Sequence, residues 1–196
     1  MKVSVTISGL ARLFGDDLTA VLSVAQVADE VGINQLVIPD HLAIGDRTDR
    51  YPFGTFPYPP EEPWLEPLTT LSAFAAVTKK IRLGTGILIT PLRGALVTAK
   101  TVATLDVLSK GRLDLGLGTG WQREEFIDPG APFADRAERA DDIIRACRAL
   151  WSTPPPVSFS SPSFRSKIYG VSPDQPKSVG SLYGLVVGQL FRPLRA

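Results

Sequence analysis

The chain has 196 residues, of which 44% are hydrophobic, and this is enough for one globular domain with a sizeable core. Its 21 basic and 20 acidic residues leave a formal net charge of +1, which gives no footprint for binding nucleic acid or an anionic membrane. We therefore expect a small-molecule substrate as the partner. A cytoplasmic location is expected, because the N-terminus turns polar too early for a signal peptide and no run of about 18 apolar residues is present. The single Cys147 cannot form an internal disulfide.

The N-terminal residues predict a strand followed by a helix. Apolar and hydroxyl side chains alternate over residues 3–8, as in a half-buried strand. Asp16 or Asp17 is placed to cap a helix whose apolar positions recur at helical spacing up to Ala28, and Gly32 provides the stop. A second, apolar strand at 35–38 ends directly at Pro-Asp-His, so two polar side chains arrive at its carboxyl end.

Residues 42–63 show no helical or strand period and are predicted to form a long irregular loop. The loop contains five prolines and four aromatic residues. Long loops inside compact domains are usually functional or disordered, and the aromatic content favours a lid or a pocket wall. The aromatic residues are Tyr51, Phe53, Phe56 and Tyr58.

Three further helices and two further strands follow the loop. Helices are predicted over 66–78, 96–108 and 135–151, and strands over 81–90 and 112–118. Gly84 and Gly86 inside the first of these strands indicate a bulge or a close approach of a ligand to the backbone. Strand and helix thus alternate four times, which predicts a parallel α/β sheet with right-handed crossovers.

A glycine-rich stretch begins where the fourth strand ends. Glycines at 116, 118 and 120 remove side chains at the turn into a helix-like segment, so backbone N–H groups could approach a ligand. The pattern is Gly-x-Gly-x-Gly and lacks the acidic residue about 20 positions later that a dinucleotide fingerprint requires. By itself it is equally typical of a tight turn that binds nothing.

In a parallel α/β sheet, ligands bind at the carboxyl ends of the strands. One group of residues lies at that end of each of three successive strands. The groups are Asp40–His41, then Gly86–Ile87 with Thr90, and finally 118–121. We expect them to meet on one rim.

The composition changes after Trp151. Residues 152–163 are rich in proline and serine, as in a connector, and residues 157–159 with 164–169 are consistent with a short hairpin. The apolar run at 182–191 is compatible with a strand, a frayed helix or an apolar surface segment. We therefore divide the chain into a domain at 1–151 and a connector with an atypical tail at 152–196.

Five motifs together resemble the luciferase-like monooxygenase family, and in particular its coenzyme F420-dependent oxidoreductase branch. Any one of them is common, but their order along the chain is specific. They are Ile-Pro-Asp-His-Leu at 38–42, Ile-Arg-Leu-Gly-Thr-Gly at 81–86, Leu-Asp-Val-Leu-Ser-Lys-Gly-Arg at 105–112, Leu-Gly-Leu-Gly-Thr-Gly-Trp at 115–121 with Glu-Glu-Phe at 124–126, and Ala-Cys-Arg-Ala-Leu-Trp at 146–151.

The resemblance implies a TIM-type barrel that holds F420, or alternatively FMN, at the carboxyl ends of its strands, and it implies no metal. His41 looks like the family histidine beside the reactive edge of the ring, and Asp40 looks like its neighbour that hydrogen-bonds the cofactor. Since histidine changes charge near neutral pH, His41 suits general acid/base work during hydride transfer; without the resemblance, a hydrogen bond at a strand end would be the simpler interpretation.

Further cofactor-binding positions follow from the same resemblance. Gly86 and Ile87 match a bulge behind the ring, often with a non-prolyl cis peptide. Thr119, Gly120 and Trp121 match the loop beside the cofactor, with Trp121 as an aromatic wall or as a core residue. Some relatives have a carboxylic acid where this chain has Trp121, so an activity on sugar phosphates that depends on this acid is not expected.

The chain differs from the family in length. A (β/α)8 barrel takes about 250 residues and eight strands, whereas four βα units are counted here. We therefore expect a partial barrel with an atypical, truncated end, whose open strand edges favour a homodimer or pairing with a related chain. Three functions stay open: an F420-dependent oxidoreductase, an FMN-dependent monooxygenase, and a non-catalytic half-barrel that pairs with another chain.

Overall fold

The computed structural model describes residues 1–127, 131–153 and 156–161, and the backbone of two further strands, 164–168 and 183–184. Its strands are β1 (Ser4–Thr6), β2 (Gln35–Ile38), β3 (Arg82–Thr85), β4 (Leu88–Ile89), β5 (Leu113–Asp114), β6 (Gly116–Gly118), β7 (Val157–Ser161), β8 (Phe164–Ile168) and β9 (Tyr183–Gly184). Its α-helices are α1 (Leu10–Phe14), α2 (Val21–Glu30), α3 (Pro67–Val77), α4 (Ala95–Ser109) and α5 (Arg136–Ser152). In this part of the chain no helix combines the length and the apolar character needed to cross a membrane.

A four-stranded parallel sheet in the order β1-β2-β3-β5 organises the domain. Leu36 of β2 pairs with Leu83 of β3, and Leu83 pairs in turn with Leu113 of β5. The helices between the strands make the crossovers, as the alternating sequence pattern predicts. This confirms the expected α/β class with the layout of a partial (β/α)8 barrel.

The main core lies between this sheet and the helices. Phe74 and Leu71 of α3 are completely buried, as are Leu83 of β3 and Leu105 of α4. Burying one such side chain contributes about 1.5–3 kcal/mol to folding. The apolar positions that predict the helices are therefore the ones that attach them to the sheet.

The strand predicted over 81–90 is two strands in the structure. β3 belongs to the four-stranded sheet, whereas β4 pairs with β6 in a second parallel sheet. The peptide bond between Gly86 and Ile87, where the two strands separate, is cis, as expected from the resemblance. The predicted strand is therefore divided between Gly86 and Ile87.

Asp17 and Gly32 lie at the two ends of the α2 segment as predicted, whereas the caps at Glu66 and Lys110 are not among the predictions. Asp17 accepts a hydrogen bond from the N–H of Thr19 at 3.1 Å and precedes the 3₁₀ turn that leads into α2. Glu66 caps α3 through the N–H of Thr69 at 2.7 Å, and α4 ends at Lys110, whose φ is 58°. The short helix α1 is not apparent in the sequence pattern.

Cys147 lies on the buried side of α5. It is buried with Ala95 and Leu150, and burial raises the pKa of its thiol to about 12. The indole N–H of Trp151 donates to the carbonyl of Ala99 at 3.0 Å, which joins α5 to α4.

Beyond α5, β7 and β8 form the expected antiparallel hairpin, and β9 pairs in parallel with β6. The rest of the predicted atypical tail lies outside the described residues.

Candidate functional site

A cleft of about 330 Å³ opens at the carboxyl ends of the parallel strands. Four strands deliver residues to it, and the loop at 42–63 forms one wall. The lining residues are Thr6, Ser8, Pro39, Asp40, His41, Tyr51, Phe53, Phe56, Pro57, Tyr58, Trp64, Gly86, Ile87, Ile89, Gly120 and Trp121.

The cleft brings together six of the seven site residues predicted from the sequence. Asp40, His41, Gly86, Ile87, Gly120 and Trp121 all line it. Thr119 is buried and is not among the lining residues. Residues from all three strand-end groups therefore meet on one rim, because parallel strands end on the same side of a sheet. Thr90 and Gly118 are buried and do not line the cleft.

His41 is held from behind by a buried carboxylate. Its Nδ1 lies 3.2 Å from both Oε1 and Oε2 of Glu125, and the N–H of Leu42 donates to Glu125 Oε1 at 2.8 Å. The Glu125 side chain is fully buried, whereas that of His41 is 10% exposed. Glu125 thus fixes the histidine at the edge of the cleft.

Aromatic rings enclose His41 on its other sides. The imidazole centroid lies 4.7 Å from the ring of Trp64, 5.9 Å from that of Phe56 and 6.0 Å from that of Trp121, all in edge-on arrangements. Tyr51 packs on Trp121 at 5.3 Å. The loop at 42–63 therefore forms a pocket wall, as its aromatic content predicts.

Asp40 is fully engaged with protein groups. Its Oδ2 accepts from the N–H of Ile89 at 2.7 Å and from Arg93 Nη1, and its Oδ1 accepts from Arg93 Nη2 at 3.1 Å. Burial lowers the pKa of Arg93, but its hydrogen bonds and charge pairing with Asp40 and Glu66 outweigh this and raise it overall. Burial raises the pKa of Glu66, because it disfavours the charged carboxylate. The hydrogen bond from the N–H of Thr69 and the charge of Arg93 outweigh burial, so the pKa is below its usual value.

The glycine-rich stretch serves mainly to pack strands together. A Cβ at Gly116 would lie 2.2 Å from the carbonyl oxygen of Thr85, and one at Gly118 would lie 2.7 Å from Ile87. Gly120 has a φ of 74° and alone among these three glycines lines the cleft. Gly116 and Gly118 thus lie in strand β6 and serve close packing, and only Gly120 belongs to the predicted turn.

Several site residues are not evident from sequence reasoning alone. Glu125 and Arg93 hold the two predicted polar residues, and Trp64 contributes a wall. Glu125 lies in the Glu-Glu-Phe motif, but the sequence does not indicate that its partner is 84 positions away. Among the described residues, no group of three or more His, Cys, Asp or Glu is arranged to hold a metal ion.

Comparison with known proteins identifies the family. A family model described as luciferase-like monooxygenase matches residues 3–181. The chain belongs to this family. An uncharacterised protein from Mycobacterium tuberculosis is 32% identical over 148 residues, an alignment that covers 74% of this chain and 52% of the relative. The chain therefore spans about half the length of these curated relatives.

Solved structures of luciferase-like enzymes share the fold. The monooxygenase RslO1 from Streptomyces bottropensis superposes with a TM-score of 0.74 at 26% identity, over 95% of this chain and 53% of that chain. An F420-dependent secondary alcohol dehydrogenase gives a TM-score of 0.71 at 20% identity, over 94% of this chain and 52% of that chain.

A third neighbour contains a different cofactor. The oxygenating constituent of 3,6-diketocamphane monooxygenase from Pseudomonas putida, in complex with FMN, gives a TM-score of 0.70 at 17% identity, over 87% of this chain and 44% of that chain. At identities of 17% and 20%, these likenesses show the fold alone. The luciferase-like neighbours thus include both F420- and FMN-dependent proteins.

Proposed function

We propose that the cleft is the active site of an oxidoreductase that transfers hydride between F420 and a small organic substrate. The observation that carries this proposal is the meeting of His41 with the Gly86–Ile87 turn and Trp121 in one largely apolar cleft. A bound deazaflavin would supply the hydride acceptor or donor. The protein's part is to position the reactants, exclude water and move the proton.

The cleft has the character that a planar ring system requires. Its volume of about 330 Å³ lies at the lower end of the range of about 300–1,000 Å³ for small-molecule pockets. Gly86 and Gly120 offer backbone without side chains, and Ile87 and Trp121 offer apolar surface. These four residues would hold the ring, with Thr119 buried next to Gly120 in support.

No residue that lines the cleft, within the described part of the chain, is Lys or Arg. The cleft therefore suits the ring of a cofactor, and a phosphate-bearing tail would have to bind to groups outside it. A neutral, small substrate suits the same surroundings, because an unpaired charge would lose its hydration there.

His41 is proposed to exchange the substrate proton. When an alcohol is oxidised, its hydroxyl proton goes to the imidazole as the hydride leaves the carbon, and reduction of a carbonyl runs in reverse. General acid/base groups of this kind contribute about 10²–10⁴-fold to rate. We expect His41→Asn to lower turnover within that range while F420 still binds.

The test follows F420 absorbance with a panel of primary and secondary alcohols. Val107→Ala, on the exposed surface of α4, is the matched control and should keep wild-type turnover. Wild-type turnover in His41→Asn would contradict the assigned role. If the protein binds F420 but turns over none of the tested alcohols, the cofactor assignment holds and alcohols are excluded as the substrate class.

An FMN-dependent monooxygenase is the second candidate. The 26% identity to the monooxygenase RslO1 favours it. Oxygen consumption that requires reduced FMN, the protein and an added organic substrate, measured beside anaerobic F420 reduction, separates the two. Activity with reduced FMN and oxygen but not with F420 would identify FMN, rather than F420, as the cofactor.

We further propose that the chain pairs with a second copy or a related chain. Strand β1 is exposed at all three residues, and among the described strands it pairs only with β2. Such edges are usually covered. Light scattering after gel filtration should give a dimer, and a monomer at micromolar concentration would contradict self-pairing.

A further inference from the structure

We propose that Glu125 is a positioning residue that fixes the tautomer of His41. In the neutral imidazole the proton then resides on Nδ1, and Nε2 presents a lone pair to the cleft. The assignment of the tautomer rests on geometry, whereas the effect of the tautomer on turnover rests on the function proposed above.

The hydrogen bonds of Glu125 set the direction of proton donation. Oε1 already accepts from the N–H of Leu42 at 2.8 Å, and both carboxylate oxygens lie 3.2 Å from His41 Nδ1. An ionised carboxylate can only accept hydrogen bonds. His41 Nδ1 must therefore be the donor, which leaves Nε2 without a proton in the neutral ring.

The other groups around His41 do not offer a competing partner for Nδ1. The neighbouring Asp40 is occupied by Arg93 and by the N–H of Ile89. The ring contacts from the remaining sides come from Phe56, Trp64 and Trp121. The titratable Tyr51 and Tyr58 line the same cleft, but Glu125 is the charged group in direct contact with His41 within the described residues.

The fixed tautomer has a chemical consequence. Nε2 is ready to accept the proton of a substrate hydroxyl, and the imidazolium that forms is stabilised by the adjacent carboxylate. When a carbonyl is reduced, the same Nε2–H returns the proton to oxygen. A histidine oriented by a carboxylate on its other nitrogen is a recurring arrangement in catalysis.

The chain is suited to a direct test because His41 is its single histidine. In uniformly ¹⁵N-labelled wild-type protein, the imidazole gives one pair of nitrogen signals without any need for assignment variants. At a pH where the ring is neutral, Nδ1 should show the shift of a protonated nitrogen and Nε2 that of an unprotonated one. A neutral ring protonated on Nε2 would overturn the proposal in the wild-type protein alone.

Glu125→Gln should reverse the tautomer. The amide oxygen replaces Oε1 and keeps the hydrogen bond from the N–H of Leu42, so the amide NH₂ replaces Oε2 and donates to His41 Nδ1. The proton then moves to Nε2. Glu124→Gln is the matched control in the adjacent position and should leave the wild-type tautomer unchanged. Retention of the Nδ1 proton in Glu125→Gln would contradict the inference.

Turnover separates this inference from the proposed function. We expect Glu125→Gln to lower the rate by about 10–100-fold, the range seen when a carboxylate that orients a metal-bound histidine is lost, without weakening F420 binding. If the wild-type tautomer is as stated but no hydride transfer occurs with F420 or FMN, the function fails and the positioning role stands. If turnover occurs with the opposite tautomer, the positioning role alone fails.

Discussion

Asp40 is a buried carboxylate whose surroundings decide between a structural and a cofactor-binding role. The resemblance to the family implies a hydrogen bond from Asp40 to the cofactor. In the structure, its oxygens accept from Arg93 and from the N–H of Ile89, and its side chain is fully buried. Asp40 therefore ties the end of β2 to β4 before any ligand arrives.

Asp40→Asn tests this role. The substitution leaves the guanidinium of Arg93, which is only 12% exposed, without its main counter-charge. We expect a loss of about 3 kcal/mol in the free energy of unfolding without cofactor, because breaking a buried ion pair is costly. Urea denaturation followed by circular dichroism measures it.

Glu66→Gln is the control for Asp40→Asn. The Glu66 side chain is 41% exposed, and exposed ion pairs contribute about 1 kcal/mol or less. If Asp40→Asn is as stable as the wild type but binds F420 more weakly, the structural role is contradicted and Asp40 is a cofactor ligand.

At the scale of elements, the glycine at the start of β6 sets how closely two strands approach. Gly116 faces the carbonyl oxygen of Thr85, which a Cβ would meet at 2.2 Å. The neighbouring atom is backbone, so β3 or β6 would have to shift. We expect Gly116→Ala to destabilise the fold by about 2–3 kcal/mol through overpacking.

Gly94→Ala is the matched control, because a Cβ at Gly94 meets nothing within 4 Å. Its cost should stay below about 1 kcal/mol, the size of an unfavourable residue at a helix N-cap. Thermal melts of both variants measure the difference. Equal melting temperatures would show that the strands can separate to admit a side chain at 116.

The end of α2 is fastened to the start of β3 by one carboxylate. Asp29 accepts hydrogen bonds from the N–H groups of Lys79, Lys80 and Ile81 at 2.9, 2.8 and 2.6 Å. Burial raises the pKa of Asp29, but these three bonds and the charge of Arg112 outweigh it, so that the pKa is lowered overall. A lowered pKa means that the folded state favours the ionised form.

This contribution to stability is present above the unfolded-state pKa of about 3.9. It is lost as the pH falls through the lower pKa of the folded state. The difference in free energy of unfolding between wild type and Asp29→Asn should therefore be largest near neutral pH and shrink in acid. Asp16→Asn, at an exposed aspartate, is the comparison variant, and a constant gap for Asp29→Asn down to acid unfolding would contradict the role of its charge.

The sequence predicts these elements well where short-range pattern determines them. Hydrophobic periodicity gives α2, α3, α4 and α5 within two residues of most observed ends, because the same apolar positions bury the helices. Gly84 and Gly86 predict an irregularity in the third strand, but its division into two strands depends on β4 joining a different sheet from β3, which one sequence does not show.

The candidate site shows the same limit. Asp40, His41 and Gly120 are predictable because polar or small residues follow buried strands. Their partners Arg93 and Glu125 are selected by three-dimensional proximity over 53 and 84 positions, and one sequence without its fold does not show such pairings.

At the scale of the whole molecule, the described residues form successive βα units of a luciferase-like barrel with a cleft at the expected rim. Trp64 and Trp121 line this cleft, whereas Trp151 packs against α4. The arrangement provides two fluorescent reporters inside the site and one outside it. Binding can therefore be followed without any knowledge of the substrate.

The most direct test of the account is a titration of the folded chain with F420 and, separately, with FMN, monitored by quenching of tryptophan fluorescence. We predict saturable binding of F420 in the micromolar range, with the quenching reduced in Trp121→Phe. Binding of FMN alone would redirect the proposal to the monooxygenase. A chain that melts cooperatively and binds neither cofactor would contradict the assignment of the cleft as an oxidoreductase site and favour a non-catalytic role.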